Sequence, residues 1–350
     1  MLTQAQVAGY LLERGLLDAA AIVDGELSIR DASRRNRNFK VEVADGPAFL
    51  LKQGLGPEAA GTVAHEALVY ARLAKLGGLS DAIPKFHGYD QAERVLILEL
   101  IRNAEDLRAH HARIGSFPPA LGRAVGVALA VVHAETGGRY PEAPTPWVLS
   151  VHRPDVSIFR DSSAASLELI KIVQAAPGLG ERLDELRGGW AVDALIHQDV
   201  KWDNVLVPEH GETVRLVDWE VATAGDACWD IGSALSQYLS TWLFSIPLMG
   251  DEPPAQFPAL AGYPLNSMKD AIRACWEGYV TRIGTDGDDR LERTVAYAGA
   301  RLIQTAFEAS QYGQQLTSAA VLHLQLAANV LARPGTAAVQ LLELESAVAS

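Results

Sequence analysis

The chain has 350 residues, 49% apolar and 21% charged, enough for two domains that each bury a core. Lys and Arg total 30 against 43 Asp and Glu, and the net charge of −13 excludes a general nucleic-acid coat, whose surface must be basic. Two cysteines, Cys228 and Cys275, cannot build a disulfide framework or a thiolate zinc site, and the first fifteen residues lack the basic start and apolar core of a signal peptide. The longest apolar stretch, residues 124–132, is half of the ~18 residues a membrane span needs. A cytoplasmic protein with no nucleic-acid and no membrane partner is therefore expected. The acidity is uneven, with net −1 over residues 1–102 and −12 over 103–350. An acidic second lobe would suit a cationic acceptor, but solubility alone also accounts for it.

In chain order, Val7, Tyr10, Leu11 and Leu16 predict an amphipathic helix over residues 3–16. Strand-like runs follow at 27–30, 39–43 and 48–53, the last two joined by the turn signal Ala44-Asp45-Gly46-Pro47. Residues 61–76 read as a helix stopped by Gly77-Gly78, and 85–89 and 95–101 as two more strands. The first hundred residues thus read β-β-β-α-β-β. Beyond Pro118 helices dominate, at 120–133, 166–175, 179–186 and through most of 231–350. A β island interrupts them at 195–198, 205–207 and 214–217.

That island carries the chemistry. It contains Ile196-His197-Gln198-Asp199-Val200-Lys201-Trp202-Asp203-Asn204, and fourteen residues after Asn204 comes Asp218, within Leu216-Val217-Asp218-Trp219-Glu220. Phosphoryl transfer asks little covalent chemistry of a protein. It asks for a carboxylate to orient and deprotonate a hydroxyl, oxygen ligands for magnesium, and cations on the phosphates. Asp199 can be the first, while Asn204 and Asp218 are neutral and anionic oxygen ligands of the kind magnesium takes. Any one of these residues alone would read as an ordinary turn former; the ordered set, flanked by apolar strands, does not.

The set resembles the catalytic loop of the eukaryotic-like kinase superfamily, in particular its aminoglycoside phosphotransferase and choline kinase branch. There the magnesium-binding Asp-Phe-Gly of protein kinases is commonly Asp-x-Asp or Asp-x-Glu, and Asp218-Trp219-Glu220 fits the latter. Gly225-Asp226 and Trp229-Asp230-Ile231-Gly232 are similar to the elements that follow in that branch. The resemblance spans roughly residues 25–235. It implies an α+β, bilobal protein-kinase-like fold: a nucleotide-binding lobe at 1–102, with a small antiparallel sheet and one main helix, and a mostly helical catalytic and acceptor-binding lobe at 103–350. It implies ATP, or GTP in its place, with Mg2+. Asp199 becomes the base with Lys201 beside it, and Asn204, Asp218 and Glu220 the metal ligands. His197 and Asp230 become supports of the loop.

In the small lobe the resemblance implies that Lys52 contacts the α- and β-phosphates and is held by Glu66. The backbone at Glu99 and Ile101 would meet the adenine edge. The branch's phosphate loop, roughly Gly-x-x-Asn-x-x-(Tyr/Phe)-x-Val, is matched by Asn36, Phe39 and Val41, but Ser33 stands for the glycine. No glycine lies between Gly25 and Gly46, so a cradle of bare backbone amides is absent. The Ser33 hydroxyl and Arg34, Arg35 and Arg37 would cover the phosphates instead; an exposed basic turn is the plainer alternative, and a peptide or nucleic-acid contact a third.

The acceptor is less constrained. Lys201 stands where Ser/Thr protein kinases carry a lysine. Residues 231–350 hold no evident acidic cluster beyond Asp286, Asp288 and Asp289. The stretch 33–41 and the preceding Leu-Leu-Glu-Arg-Gly-Leu resemble phosphotransferase-like kinases of ribosomal peptide biosynthesis. Those phosphorylate Ser or Thr of a precursor peptide, so that a partner lyase can eliminate phosphate. The expected acceptor is such a peptide. A small-molecule kinase, acting on an aminoglycoside or other antibiotic, choline or a sugar, is one alternative. A pseudokinase scaffold is another, against which Lys52, Glu66, Asp199, Asn204 and Asp218 are all retained.

Overall fold

The structure is a computed structural model and describes residues 1–24, 26–33, 36–138, 143–156, 158–209, 213–247, 256–283 and 288–344. Its elements begin with α1 (Gln4–Glu13), α2 (Ala19–Val23), β1 (Leu27–Asp31), β2 (Arg37–Val43), β3 (Ala48–Gln53), α3 (Gly56–Leu73), β4 (Phe86–Asp90) and β5 (Val95–Glu99). They continue with β6 (Glu105–Asp106), α4 (Leu107–Ile114), α5 (Pro119–Thr136), α6 (Ile158–Asp161), α7 (Ala164–Ala175), α8 (Leu179–Gly188) and β7 (Ala194–Ile196). After β8 (Val205–Val207), β9 (Arg215–Leu216) and β10 (Thr223–Gly225) come α9 (Ala227–Phe244), α10 (Phe257–Leu260), α11 (Lys269–Ile283), α12 (Asp288–Ser310), α13 (Ser318–Ala332) and α14 (Pro334–Gln340). The chain divides into two compact units, Met1–Leu107 with Asn204–Ala222, and Arg108–Asp203 with Thr223–Ser350. The result is the expected α+β class, a small antiparallel sheet with a mostly helical remainder.

In the first unit a five-stranded antiparallel sheet has the order β1-β2-β3-β5-β4. The alternation along β3 decides its two faces. Phe49 and Leu51 join Phe39, Val41, Val95 and Ile97 in one buried cluster, covered by Val7, Tyr10 and Leu11 of α1. Burying each such side chain contributes about 1.5–3 kcal/mol. Lys52 therefore falls on the opposite face, paired across the sheet with Asn38 on β2 and Leu96 on β5. Helix α3 starts before the expected residue 61 because Pro57 fits its first turn, where the missing amide hydrogen costs nothing. Helix α2 was not expected; its five residues are opened by Asp18, which accepts from the Ala20 amide.

The β island does not form one sheet. β8 pairs with β9 on one side and with β6 on the other, all in the first unit, whereas β7 pairs with β10 in the second. In the second unit α5 packs closely on α11. A Cβ at Gly126 would lie 1.9 Å from the Cys275 carbonyl oxygen, so the two backbones meet where no side chain fits. Helix α9 is buried nearly all round. Among the described residues no helix is long and apolar enough to cross a membrane.

Candidate active site

The residues singled out by sequence fall in both units, and each unit builds its own group. In the first, Lys52 ends the apolar run of β3 and is only 8% exposed. Its Nζ lies 2.7 Å from Glu66 Oε2 on α3 and 2.5 Å from Asp218 Oδ1. Burial works against the lysine charge, but Glu66 and then Asp218 outweigh it and raise the Lys52 pKa. Glu66 is 1% exposed; burial is the main cause that pushes its carboxyl up to about 7, Lys52 opposes this, and Asp218 and Glu220 add to it. Two carboxylates thus share one buried cation, leaving an excess negative charge that a further cation would relieve. Helix α3 is pinned a second time where His65 Nε2 meets the Ala222 carbonyl at 2.7 Å.

Asp218 has φ 68°, a left-handed conformation uncommon for a residue with a side chain. Its neighbour Trp219 is fully buried and bonds the Leu216 carbonyl at 3.1 Å, which fixes the turn. The Val217 amide donates to the Asn204 carbonyl at 3.0 Å, continuing the Val205–Leu216 pairing and bringing the two predicted metal ligands onto adjacent chain ends. Asn204 is 5% exposed, the Asp218 side chain 34%. Asn204, Asp218 and Glu220 present only hard oxygen donors, a set that fits magnesium, which keeps waters and uses few protein ligands.

The loop between β1 and β2 closes without glycine. The Ser33 amide donates to Asp31 Oδ1 at 2.8 Å, and the Ser33 hydroxyl accepts from the Asn38 amide at 3.1 Å, so that oxygen holds the turn. Arg34 and Arg35 lie outside the described residues. Arg37 instead donates to the Leu2 carbonyl at 2.9 Å. Asn36 is 6% exposed; its Oδ1, and that of Asn38, are buried with no hydrogen-bond partner among the described residues. Sequence reasoning passed over Asn38; its signal is the even spacing from Asn36 and the register opposite Lys52. At the end of β5 the Lys85 amide is taken by the Glu99 carboxylate at 2.9 Å, which keeps the Glu99 backbone carbonyl out of that bond. Ile101 follows just beyond, and Arg102 grips the hairpin carbonyls of Val43, Ala44 and Gly46.

In the second unit Asp199 follows Gln198, whose φ is 69°. This strained link is held by Asp230, fully buried, which accepts the His197 amide at 2.6 Å and the Gln198 amide at 2.9 Å. Trp229 Nε1 donates to the Gln198 carbonyl at 3.0 Å. His133 on α5 meets Asp230 at 3.2 Å and the Tyr279 hydroxyl at 3.1 Å, tying the loop to α11. Lys201 Nζ lies 2.7 Å from Asp199 Oδ2 and is 39% exposed. Arg301 of α12, 1% exposed, places a guanidinium nitrogen 3.7 Å from Asp199 Oδ1. Sequence reasoning missed His133 and Arg301. A lone arginine inside the apolar run 295–303 was the available signal for the latter.

A sequence profile described as the phosphotransferase enzyme family matches residues 27–258. No curated protein matches the chain. Among solved structures, the ethanolamine kinase of Plasmodium vivax is 12% identical, with 91% of this chain and 86% of that chain covered at a TM-score of 0.54. A choline/ethanolamine kinase family protein from Mesorhizobium loti is 16% identical, over 94% and 98%, at 0.52. Choline kinase LicA from Streptococcus pneumoniae is 14% identical, over 94% and 98%, at 0.50. At such identities the likeness is one of fold.

Proposed function

From the premise that the chain belongs to the phosphotransferase enzyme family and is an ATP-dependent phosphotransferase, we propose a magnesium-dependent kinase whose acceptor is a Ser or Thr hydroxyl of a precursor peptide. The observation that carries the donor half is the buried Lys52–Glu66–Asp218 group, one lysine between two carboxylates. Lys52 holds nucleotide phosphate oxygens, with Glu66 fixing its position. Asn36 and the turn at Ser33 border the phosphates, and the chain at Glu99 and Ile101 meets the base. Asn204, Asp218 and Glu220 would hold Mg2+, which supplies charge neutralisation at the phosphates.

In the reaction the acceptor hydroxyl oxygen bonds to the γ-phosphorus. The bond from that phosphorus to the β,γ-bridging oxygen breaks, and ADP leaves with the electron pair. The hydroxyl proton passes to Asp199 and then to water. Because the transition state is loose, Asp199 serves more by orienting the hydroxyl than by strength as a base. Lys201, half-exposed and paired with Asp199, is the cation that can turn to the transferring phosphoryl group.

Three features support a peptide acceptor in ribosomal natural-product biosynthesis, including lanthipeptide-type pathways. They are Lys201, the resemblance carried by residues 33–41, and the aromatic cluster that follows the loop. His111, Phe117, Trp202, Tyr238 and Tyr263 pack on one another at centroid separations of 4.7–6.3 Å, and the first four are buried. Because these rings are buried against one another, the cluster is internal packing rather than an open aromatic cage for a quaternary amine. A partner lyase would then remove the α-proton and expel phosphate, leaving a dehydroamino acid. The second reading, a cytoplasmic small-molecule kinase, draws on the choline and ethanolamine kinases that share the fold.

The test offers γ-labelled ATP or GTP with magnesium to an aminoglycoside panel, to choline and sugars, and to a precursor peptide encoded near this gene. Mass spectrometry is expected to find a phosphate adduct on the peptide, or loss of water once the lyase is added. Efficient labelling of an aminoglycoside or choline with no peptide modified would overturn the peptide reading.

A further inference from the structure

We propose that Arg301 is a positioning residue for Asp199, the permanent cation that orients its carboxylate while Lys201 is engaged elsewhere. This rests on the assignment of Asp199 made above. Three observations within the second unit carry it. Arg301 is 1% exposed, in the middle of a helix whose neighbouring side chains are apolar, a place where an arginine is retained only against a large desolvation cost. One of its nitrogens lies 3.7 Å from Asp199 Oδ1, while Nε and Nη1 have no hydrogen-bond partner among the described residues. The guanidinium also sits 5.8 Å from the ring centroid of Trp229, whose Nε1 holds the carbonyl of Gln198, the residue just before Asp199. Arg301 thus reaches the loop both by charge and through the tryptophan that braces it.

The two cations on Asp199 differ in freedom. Lys201 is 39% exposed on a flexible stem and lies on Oδ2; Arg301 is enclosed and faces Oδ1. A lysine that turns to a phosphoryl oxygen would leave the carboxylate alone unless a second charge stayed behind. Arg301 stays in place, its side chain only 2% exposed.

The experiment is a double-mutant cycle of Arg301→Met and Asp199→Asn, with Arg301→Lys as the conservative variant. Turnover is read with γ-labelled ATP and magnesium, water serving as acceptor when none is added; thermal unfolding is read on the same four proteins. Arg301→Met is expected to lower kcat roughly 10- to 100-fold, the scale of a misplaced reactive group, with the KM for ATP unchanged, and Arg301→Lys to restore most of it. In the Asp199→Asn background Arg301→Met should lower kcat no further. The Tm changes should be non-additive by roughly 2 °C or more, as for two charges in contact. Equal kcat losses in both backgrounds, or additive Tm changes, would overturn the proposal and make Arg301 a purely structural residue. Wild-type turnover in Asp199→Asn alone would sink the base assignment instead, and the Tm cycle would still decide whether the two side chains interact.

Discussion

Asp218 and Asp230 stand twelve residues apart in the chain and are held by opposite means. Asp218, in the first unit, is one-third exposed and answers a buried lysine that already has a carboxylate partner. Asp230, in the second, is sealed from solvent and accepts two backbone amides with His133 alongside. The first group is built from charges in excess, and charges can exchange partners when a cation or a phosphate arrives. The second is built from backbone donors, which cannot be exchanged without remaking the loop. One arrangement suits binding, the other suits shape.

Breaking the shape-holding group is expected to have the largest effect. Asp230→Ala strands the His197 and Gln198 amides in a dry site and removes the restraint on a left-handed Gln198. Stability should fall by about 3–5 kcal/mol, measured by urea unfolding.

The charge-built group should show itself more gently, through pH. In the metal-free protein the Glu66 carboxyl titrates near 7, against about 4.5 when unfolded, so between those values the folded state binds the extra proton. Stability contributed by this group is therefore greatest below pH 4.5 and is lost as pH rises toward 7. Relative to Glu66→Gln, which cannot titrate, wild-type Tm should drop by roughly a few degrees between pH 5 and 7. A flat difference across that window would mean that Glu66 is ionised throughout and the excess charge is compensated elsewhere.

The same contrast explains what could be read in the sequence. Local signals served well where the alternation of β3 and the Ala44–Pro47 turn fixed a hairpin; the Lys52–Glu66 pairing, found at 2.7 Å, was implied by the family resemblance and not by the strand and helix patterns themselves. Non-local choices were not legible. Residues 195–198 and 205–217 looked like one island, yet β7 pairs with β10 while β8 pairs with β9 and with β6, because a partner that lies in a different stretch of the chain leaves no mark on a strand's own pattern. Helix α4 was missed for its polar composition and α2 for its shortness. Arg301 and His133 belong to no motif; they matter through what they touch.

The central claim is a division of labour: the first unit binds the metal nucleotide and the second acts on the acceptor. It is tested most directly by titrating ATP into wild type, Asp218→Asn and Asp199→Asn by calorimetry, with and without magnesium, and following turnover on the same samples. Asp218→Asn is expected to lose the magnesium-dependent part of binding. Asp199→Asn should bind as wild type does while its turnover falls by roughly 10²–10⁴-fold, the scale of general-base loss. Unchanged magnesium-dependent binding in Asp218→Asn, or wild-type turnover in Asp199→Asn, would contradict the account.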